Sequence, residues 1–554
     1  MELNPNPFPF FEHVTLREKF IRSFGWQALN VFSQVLLQLA FISILARLIT
    51  KEAFGVMAIA LVVVGFIEIF SQIGIGPALI QRKKLTQENI NGAFFISLLL
   101  GILFTIGLYI IAPWIAKYYD YEPLTAVLRW IGLSFFISAL AIVPRSLIIK
   151  DMSFRKLFFC SITAMTIGNL GVGLTLAFLG YDLWAYVFAL LAQNALMTIS
   201  YWFFHPVKLT LSWNWETTLD MIRYGGGSTL FNVFNYAATK IDTLIVGKMA
   251  NADQLLDQQG FQQAEQATDL SIGESNQVIS QAQIDPIPTS MTSESWSTTG
   301  IYDRSVYLMS LPITVLGKLS DSVMFSGLSQ LQDDLPRLQR AYLSALYHIG
   351  LLVIPGSVFM VFFAEEITIL FLGENFYESI PIVKILFISV AFRSLIKISD
   401  SVVRALDKVY TASAIKAMFF VLVAIGTYFG WAYGLEGVAW SLVFAVAIQF
   451  FMMKSFSLKL VKLNWSRLIK KLIPGVITGI IAVFASWAAQ AINPLISEHL
   501  LIRLLVALAL NAIVLFSVAW FVPFLFKQGK DNVLATLATK IPIAALRKRW
   551  GSKA

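Results

Sequence analysis

Long apolar runs separated by short polar breaks dominate the chain, which has 554 residues. A helix needs about 20 apolar residues to cross a bilayer. On that measure the runs predict about fourteen membrane-spanning helices, over residues 20–46, 53–80, 92–112, 126–148, 157–179, 183–204, 222–249, 304–328, 342–363, 380–403, 411–430, 436–453, 472–491 and 500–526. The expected fold class is an all-α polytopic membrane protein. The breaks alternate in charge. One set holds Arg82, Lys83 and Lys84; Arg145, Lys150, Arg155 and Lys156; Arg337 and Arg340; Arg404 and Lys408; Lys454, Lys459, Lys462, Arg467, Lys470 and Lys471; and the tail's Lys527, Lys530, Arg547, Lys548 and Arg549. The other set (YYDYE, LGYD, AEEI, GLEG) is poor in Lys and Arg. Basic loops stay in the cytoplasm, so both termini are expected there, and an even number of spans agrees.

The pattern repeats. Ile21–Gly25 (IRSFG) resembles Ile222–Gly226 (IRYGG), and Leu29–Ser33 (LNVFS) resembles Phe231–Asn235 (FNVFN), at offsets of 201 to 202 residues. Phe54–Met57 then matches Thr299–Tyr302 at an offset of 245, and Ala78–Gln81 matches Gly327–Gln330 at 249. Two six-helix halves in parallel orientation follow, the second enlarged by roughly 43 residues, with two more helices behind them. Parallel repeats related by an axis along the membrane normal are a transporter architecture. The expected division is a cytoplasmic segment 1–19, an N-lobe 20–205, a cytoplasmic linker 206–221, a C-lobe 222–454 with an extracytoplasmic polar insertion 251–299, a helix pair 470–526 and a basic cytoplasmic tail 527–554. The insertion carries seven acidic residues and no Lys or Arg. It reads either as a tolerated loop or as a partner-binding or gating segment, for instance toward polysaccharide polymerase or export proteins.

Composition agrees: 57% hydrophobic and 14% charged residues with a mean hydropathy of +0.71 exclude an ordinary soluble globule. The net charge of +9 is spread over short loops, so topology rather than nucleic acid accounts for it. Cys160 stands alone, which rules out an internal disulfide. His13, His205, His348 and His499 lack metal-ligand spacing, and no metal or cofactor is expected. Residues 1–12 lack a basic n-region and the first apolar run is too long for a cleaved leader. No phosphate loop or catalytic triad order appears. Transport driven by an ion, potential or substrate gradient is expected rather than enzymatic chemistry.

Charges inside apolar runs are the candidate functional residues, because each costs about 2.5–3.5 kcal/mol at a bilayer centre unless it faces protein or water. Arg393, Lys397, Asp400 and Arg404 fall at i, i+4, i+7 and i+11, within about 40° of one helical face. They line a water-filled cavity or pair with neighbouring helices; Arg404 is expected at the cytoplasmic end. Lys240 and Asp242, two apart, cannot share a face, so each needs its own partner. Lys318 and Asp321 are helical neighbours that either serve the cavity or neutralise each other. Glu68 stands near the helix-breaking Gly74–Pro77 and is either a proton or cation site or a structural bond. Asp303 and Arg304 are expected at the membrane interface, and Arg145, beside Pro144, near the cytoplasmic end. Arg393, Lys397 and Lys240 are the expected substrate contacts; Asp242, Asp400, Lys318, Asp321 and Glu68 are the expected coupling or counter-charge residues.

Ala46–Met57 (ARLITKEAFGVM), Ser71–Gln81 (SQIGIGPALIQ), Lys240–Met249 (KIDTLIVGKM) and Gly300–Pro312 (GIYDRSVYLMSLP), in this order, resemble the bacterial oligosaccharide flippases. These are the polysaccharide transporters of the multidrug/oligosaccharidyl-lipid/polysaccharide exporter superfamily. The resemblance covers about residues 15–525, and the insertion splits its last two motifs. It implies a two-lobed bundle alternating between inward- and outward-open forms in the inner membrane, with a cargo of sugar on polyprenyl pyrophosphate moved from the cytoplasmic to the periplasmic leaflet. It also implies a groove for the lipid tail formed by the last two helices. A basic cavity suits an anionic pyrophosphate independently. The alternatives are a drug or organic-cation antiporter on the same fold, a membrane glycosyltransferase or polymerase, and a non-transporting scaffold of polysaccharide assembly.

Overall fold

A computed structural model of the chain describes residues 16–71, 75–81, 85–207, 231–253, 290–319, 328, 331–496 and 499–521. The described residues form helices: α1 (Leu16–Leu48), α2 (Lys51–Ser71), α3 (Ile75–Gln81), α4 (Gln87–Tyr118), α5 (Pro123–Lys150), α6 (Phe154–Met165), α7 (Leu174–Phe178), α8 (Asp182–Phe204), α9 (231–253), α10 (Ser290–Leu319), α11 (Leu335–Phe362), α12 (Ala364–Leu372), α13 (Ile380–Ala405), α14 (Val409–Gly430), α15 (Gly434–Leu460), α16 (Trp465–Ile496) and α17 (Leu500–Phe521). A π-helical stretch, Thr166–Gly173, joins α6 to α7 into one span.

Local sequence accounts for many of the boundaries. The Thr86 hydroxyl accepts from the Asn89 N–H at the start of α4, and Asp334 accepts from the Arg337 N–H at the start of α11. Pro123 opens α5, where its missing N–H costs nothing. Gly373 and Gly434, at φ +83° and +69°, occupy the left-handed region that lets the chain turn sharply between spans. Exposed apolar side chains such as Leu103, Ile110, Phe203, Phe444 and Phe484 coat the outside of the bundle, as a lipid-facing surface requires.

Each predicted span has its helix. Ten stretches among the described residues are long and apolar enough to cross a membrane, and one of these, Val409–Leu460, holds two helices. The pairings repeat between halves. Helix α4 packs on α5, α5 on α8 and α6 on α8; correspondingly α11 packs on α13, α13 on α15 and α14 on α15. Helix α16 lies along α11, and α17 packs on α16 and α12.

Two boundaries differ from expectation. Helix α10 begins at Ser290 rather than near residue 304, so Trp296 and Thr299 are buried helical residues instead of the end of a polar loop. A Ser/Thr-rich sequence does not look membrane-like, but packing against α2 stabilises it as helix. Lys454 is not a loop lysine. It is wholly buried inside α15, donating to the Leu395 carbonyl and to Ser399 Oγ, both at 2.8 Å. Asp321, most of the insertion and the basic tail lie outside the described residues.

The lobes meet firmly at the end of the bundle opposite the basic loops. There Lys51 pairs with Glu378 at 3.0 Å, and Arg47 donates to the Ile369 and Leu370 carbonyls at 3.2 and 2.8 Å. Lys248 pairs with Asp120 at 3.1 Å, and Asn251 donates to the Tyr119 carbonyl at 2.8 Å. Tyr121 donates to Glu52 at 3.1 Å, and its burial pushes its phenol above the usual range. Trp296 sits against the rings of Tyr119 and Tyr121. Beneath this layer α2 and α10 cross backbone to backbone: a Cβ on Gly55 would collide with the Trp296 carbonyl, and one on Gly300 with the Lys51 carbonyl. Phe54 and Phe376 complete the seal edge to face at 5.8 Å. Toward the basic end, polar cavities lie between and within the lobes.

Candidate functional site: a charged cavity between the lobes

A cavity of about 460 Å³ lies where α1, α2 and α8 face α9, α10, α13, α14 and α15. Its charged lining is Lys240 from α9, Asp303 and Arg304 from α10, Arg393, Lys397 and Asp400 from α13, and Lys416 from α14. Gln38, Asn235, Thr239, Tyr307 and Gln449 add polar groups. Hydrophobic packing of α13 on α10, α11 and α15 buries its other faces, which turns the stripe 393, 397, 400 toward the gap. Arg404, one turn further, is not part of this wall and donates to the Asp400 carbonyl.

The charges sort into two groups. Asp400 Oδ2 accepts from Lys416 Nζ at 3.1 Å, both side chains almost wholly buried. Asp303 and Arg304 form a buried ion pair, and the guanidinium also lies 4.6 Å from the Phe54 ring centre. Both carboxylates are thus neutralised within the wall. Lys240, Arg393 and Lys397 have no ion-pair partner among the described residues. The cavity therefore holds three cations without an ion pair among the described residues, the buried Asp242 carboxylate acting on Lys240 and Arg393 only from beyond ion-pair distance, an arrangement suited to a multiply charged anion.

Asp400 and Lys416 carry a stability prediction. Removing one member strands a buried charge, a loss of about 3–5 kcal/mol, whereas replacing both with apolar groups is close to neutral. Asp400→Leu is expected to lower the thermal unfolding temperature of the purified protein markedly, and Asp400→Leu with Lys416→Leu to restore most of it. A double variant as unstable as the single one would refute the pairing.

The sequence-predicted residues divide. Lys240, Arg393, Lys397 and Asp400 come together in one cavity. Asp242 does not join them. It is buried toward α10, accepting from Tyr302 Oη and from the Thr243 N–H, each at 2.9 Å. Glu68 and Lys318 line a separate cavity of about 660 Å³ nearer the basic end, together with Arg145. Asp303 and Arg304, expected at the interface, are inside the bundle because α10 starts early. Lys416 was missed. Its signal was a lysine within the apolar run 411–430, but with no second charge on that helix, only the fold reveals Asp400 opposite it. An apolar groove of about 480 Å³ between α2 and α9 shares Lys240 with the central cavity. Another, of about 550 Å³, is lined by Ile354, Phe392, Phe450, Leu472 and Val476; of the last two helices only α16 contributes to it.

The described residues form a helical membrane bundle with a charged cavity among its helices. The fold matches the structure titled "Lipid II flippase MurJ, inward closed conformation" with a TM-score of 0.63 at 14% identity, covering 90% of this chain and 99% of that one. The sequence profile described as "Polysaccharide biosynthesis protein" matches residues 44–290 and 291–381, more than half of the chain, and the protein belongs to that family. It is 20% identical over 384 residues to the lipopolysaccharide biosynthesis protein WzxC of Escherichia coli (strain K12), covering 69% of each chain. It is 19% identical over 466 residues to the teichuronic acid biosynthesis protein TuaB of Bacillus subtilis (strain 168), covering 83% of this chain and 87% of that one. The resemblance read from the motifs holds.

Proposed function

We propose that the protein moves a polyprenyl-pyrophosphate-linked glycan from the cytoplasmic to the extracytoplasmic leaflet of the bacterial inner membrane, for cell-surface polysaccharide export. The observation that carries this reading is the set of three cations, Lys240, Arg393 and Lys397, without an ion-pair partner among the described residues, in one cavity between the lobes. A pyrophosphate diester is dianionic at neutral pH. Three cations offset its dehydration, with Arg393 suited to two phosphate oxygens at once and the lysines acting as point charges. Lys240 also borders the apolar groove between α2 and α9. A lipid could therefore keep its headgroup in the cavity while its tail stays in apolar surroundings.

With the basic loops in the cytoplasm, the closed end faces outward and the cavity is reached from the side where the lipid-linked sugar is assembled. Outward movement of the anion is favoured by about 2.3 kcal/mol per charge per 100 mV of potential, if the charge crosses the full field. The names of the relatives, which concern lipopolysaccharide and teichuronic acid biosynthesis, fit such a cargo.

The test uses inverted inner-membrane vesicles from cells lacking the protein, with and without its gene restored. Supplied polyprenyl-pyrophosphate-linked glycan is expected to reach the lumenal leaflet only when the protein is present, and faster with a lumen-positive potential. Equal movement in both vesicle types would end this reading.

A further inference from the structure

The cavity nearer the basic end differs in chemistry from the central one. Its wall carries the amides Gln27, Asn30 and Gln34 from α1 and Asn194 from α8, with Glu68 and Arg145 beside them. Amides are rare inside membrane bundles, because each brings donors and acceptors that must be satisfied. Two of them are paired within the wall, and one has an atom left over. Gln34 Nε2 donates to Asn30 Oδ1 at 3.1 Å, and Lys318 Nζ reaches Gln34 Oε1 at 3.4 Å. Gln27 Oε1 is buried and makes no hydrogen bond among the described residues.

The two cavities follow one another along the same helices. On α1, Gln34 lines the one and Gln38 the other; on α10, Lys318 and Thr314 do so; on α2, Glu68 and Leu61. Four residues are about one helical turn, or roughly 6 Å along the axis. Along α1 from Gln38, Gln34 is one turn away and Gln27 about three turns, roughly 16 Å, so a molecule with its anionic group in the central cavity would place what is attached to that group among the amides.

We propose that this amide-lined vestibule is a glycan subsite, which binds the sugar next to the pyrophosphate through its hydroxyls. The inference rests on the reading of the cargo as a lipid-linked glycan. A carboxamide presents a donor and an acceptor side by side, the pattern that neighbouring sugar hydroxyls complete. The volume of about 660 Å³ falls in the usual range for small-ligand sites, about 300–1,000 Å³. The central cavity holds the larger excess of fixed positive charge; the vestibule carries four amides beside Glu68, Arg145 and Lys318. Headgroup charge and sugar identity are thus read in two places.

The test compares two probes on the purified full-length protein in lipid nanodiscs: sugarless polyprenyl pyrophosphate, and the glycan-bearing polyprenyl pyrophosphates extracted from cells lacking the protein. The wild type is expected to bind the glycan-bearing pool about 10-fold more tightly, as two buried hydrogen bonds would give. Gln27→Leu with Asn194→Leu is expected to bring the two affinities within about two-fold while leaving the sugarless lipid bound as before. The single variants, each expected to lose about three-fold of the preference, carry the test if the pair does not fold. A double variant that keeps the full preference, or a wild type that binds both probes equally, would overturn the subsite and make the vestibule a water path only. A wild type that binds neither probe would instead overturn the cargo assignment and the subsite with it.

Discussion

Arg393→Ala is expected to abolish measurable glycan-lipid movement in inverted vesicles while the protein still reaches the membrane in normal amount. Among the described residues Arg393, in the cavity wall, has no ion-pair partner and its Nε makes no hydrogen bond; Asp242 acts on it only from beyond ion-pair distance. Arg393 therefore gives up no internal ion pair to meet an anion. Charge-assisted hydrogen bonds contribute about 1.5–3 kcal/mol each, and a bidentate contact to phosphate uses two. Losing both would slow transport by two to four orders of magnitude, at about 1.4 kcal/mol per decade. Arg393→Lys keeps the charge without the fork and is expected to retain part of the activity. Lys397→Ala, which removes a point charge, is expected to lose less than Arg393→Ala. Wild-type transport by Arg393→Ala would show that the cavity charge does not hold the cargo.

The second large effect concerns the closed end. Gly55 and Gly300 bring α2 and α10 into direct backbone contact, and any side chain there meets a carbonyl that cannot step aside without moving a helix. Gly55→Val or Gly300→Val is therefore expected to prevent the lobes from closing at this end. Such a protein is expected to insert, since its apolar spans are unchanged. It would remain open opposite the basic loops and lose transport. Cysteine labelling can show this, because Cys160 is the sole cysteine. In a Cys160→Ala background, a cysteine at Gln38 is expected to become accessible from the side opposite the basic loops only when Gly55 is valine. Unchanged labelling together with normal transport would show that the glycine crossing is not a gate. The ion pairs above it, Lys51–Glu378 and Lys248–Asp120, are partly exposed. Pairs of that kind contribute only about 0–1 kcal/mol each, so breaking one is expected to shift the balance between the two forms far less than the glycine changes.

Much of this was legible in the sequence, for a physical reason. Apolar runs of bilayer length must be helices, since a spanning backbone has no water to satisfy it, and alternation of basic loops gives their expected sense. The spacing of Arg393, Lys397 and Asp400 put them on one face because helical geometry is local. What neighbouring helices do to those charges is not local, and only the tertiary structure decided it. The run 411–430 contains a single lysine, and its partner Asp400 is named only by the packing of the C-lobe. Asp242, two residues from Lys240, is taken up by Tyr302 rather than by the cavity. The polar stretch before residue 304 looked like a loop because its apolar period is weak, yet α2 holds it as helix and so carries Asp303 and Arg304 into the bundle. Lys454 resembled a loop lysine because basic residues follow it, and burial against Ser399 and the Leu395 carbonyl made it part of the core. Sequence period determines which residues share a helical face; which face meets another helix, and which charge is left over for a ligand, is settled by contacts between residues far apart in the chain.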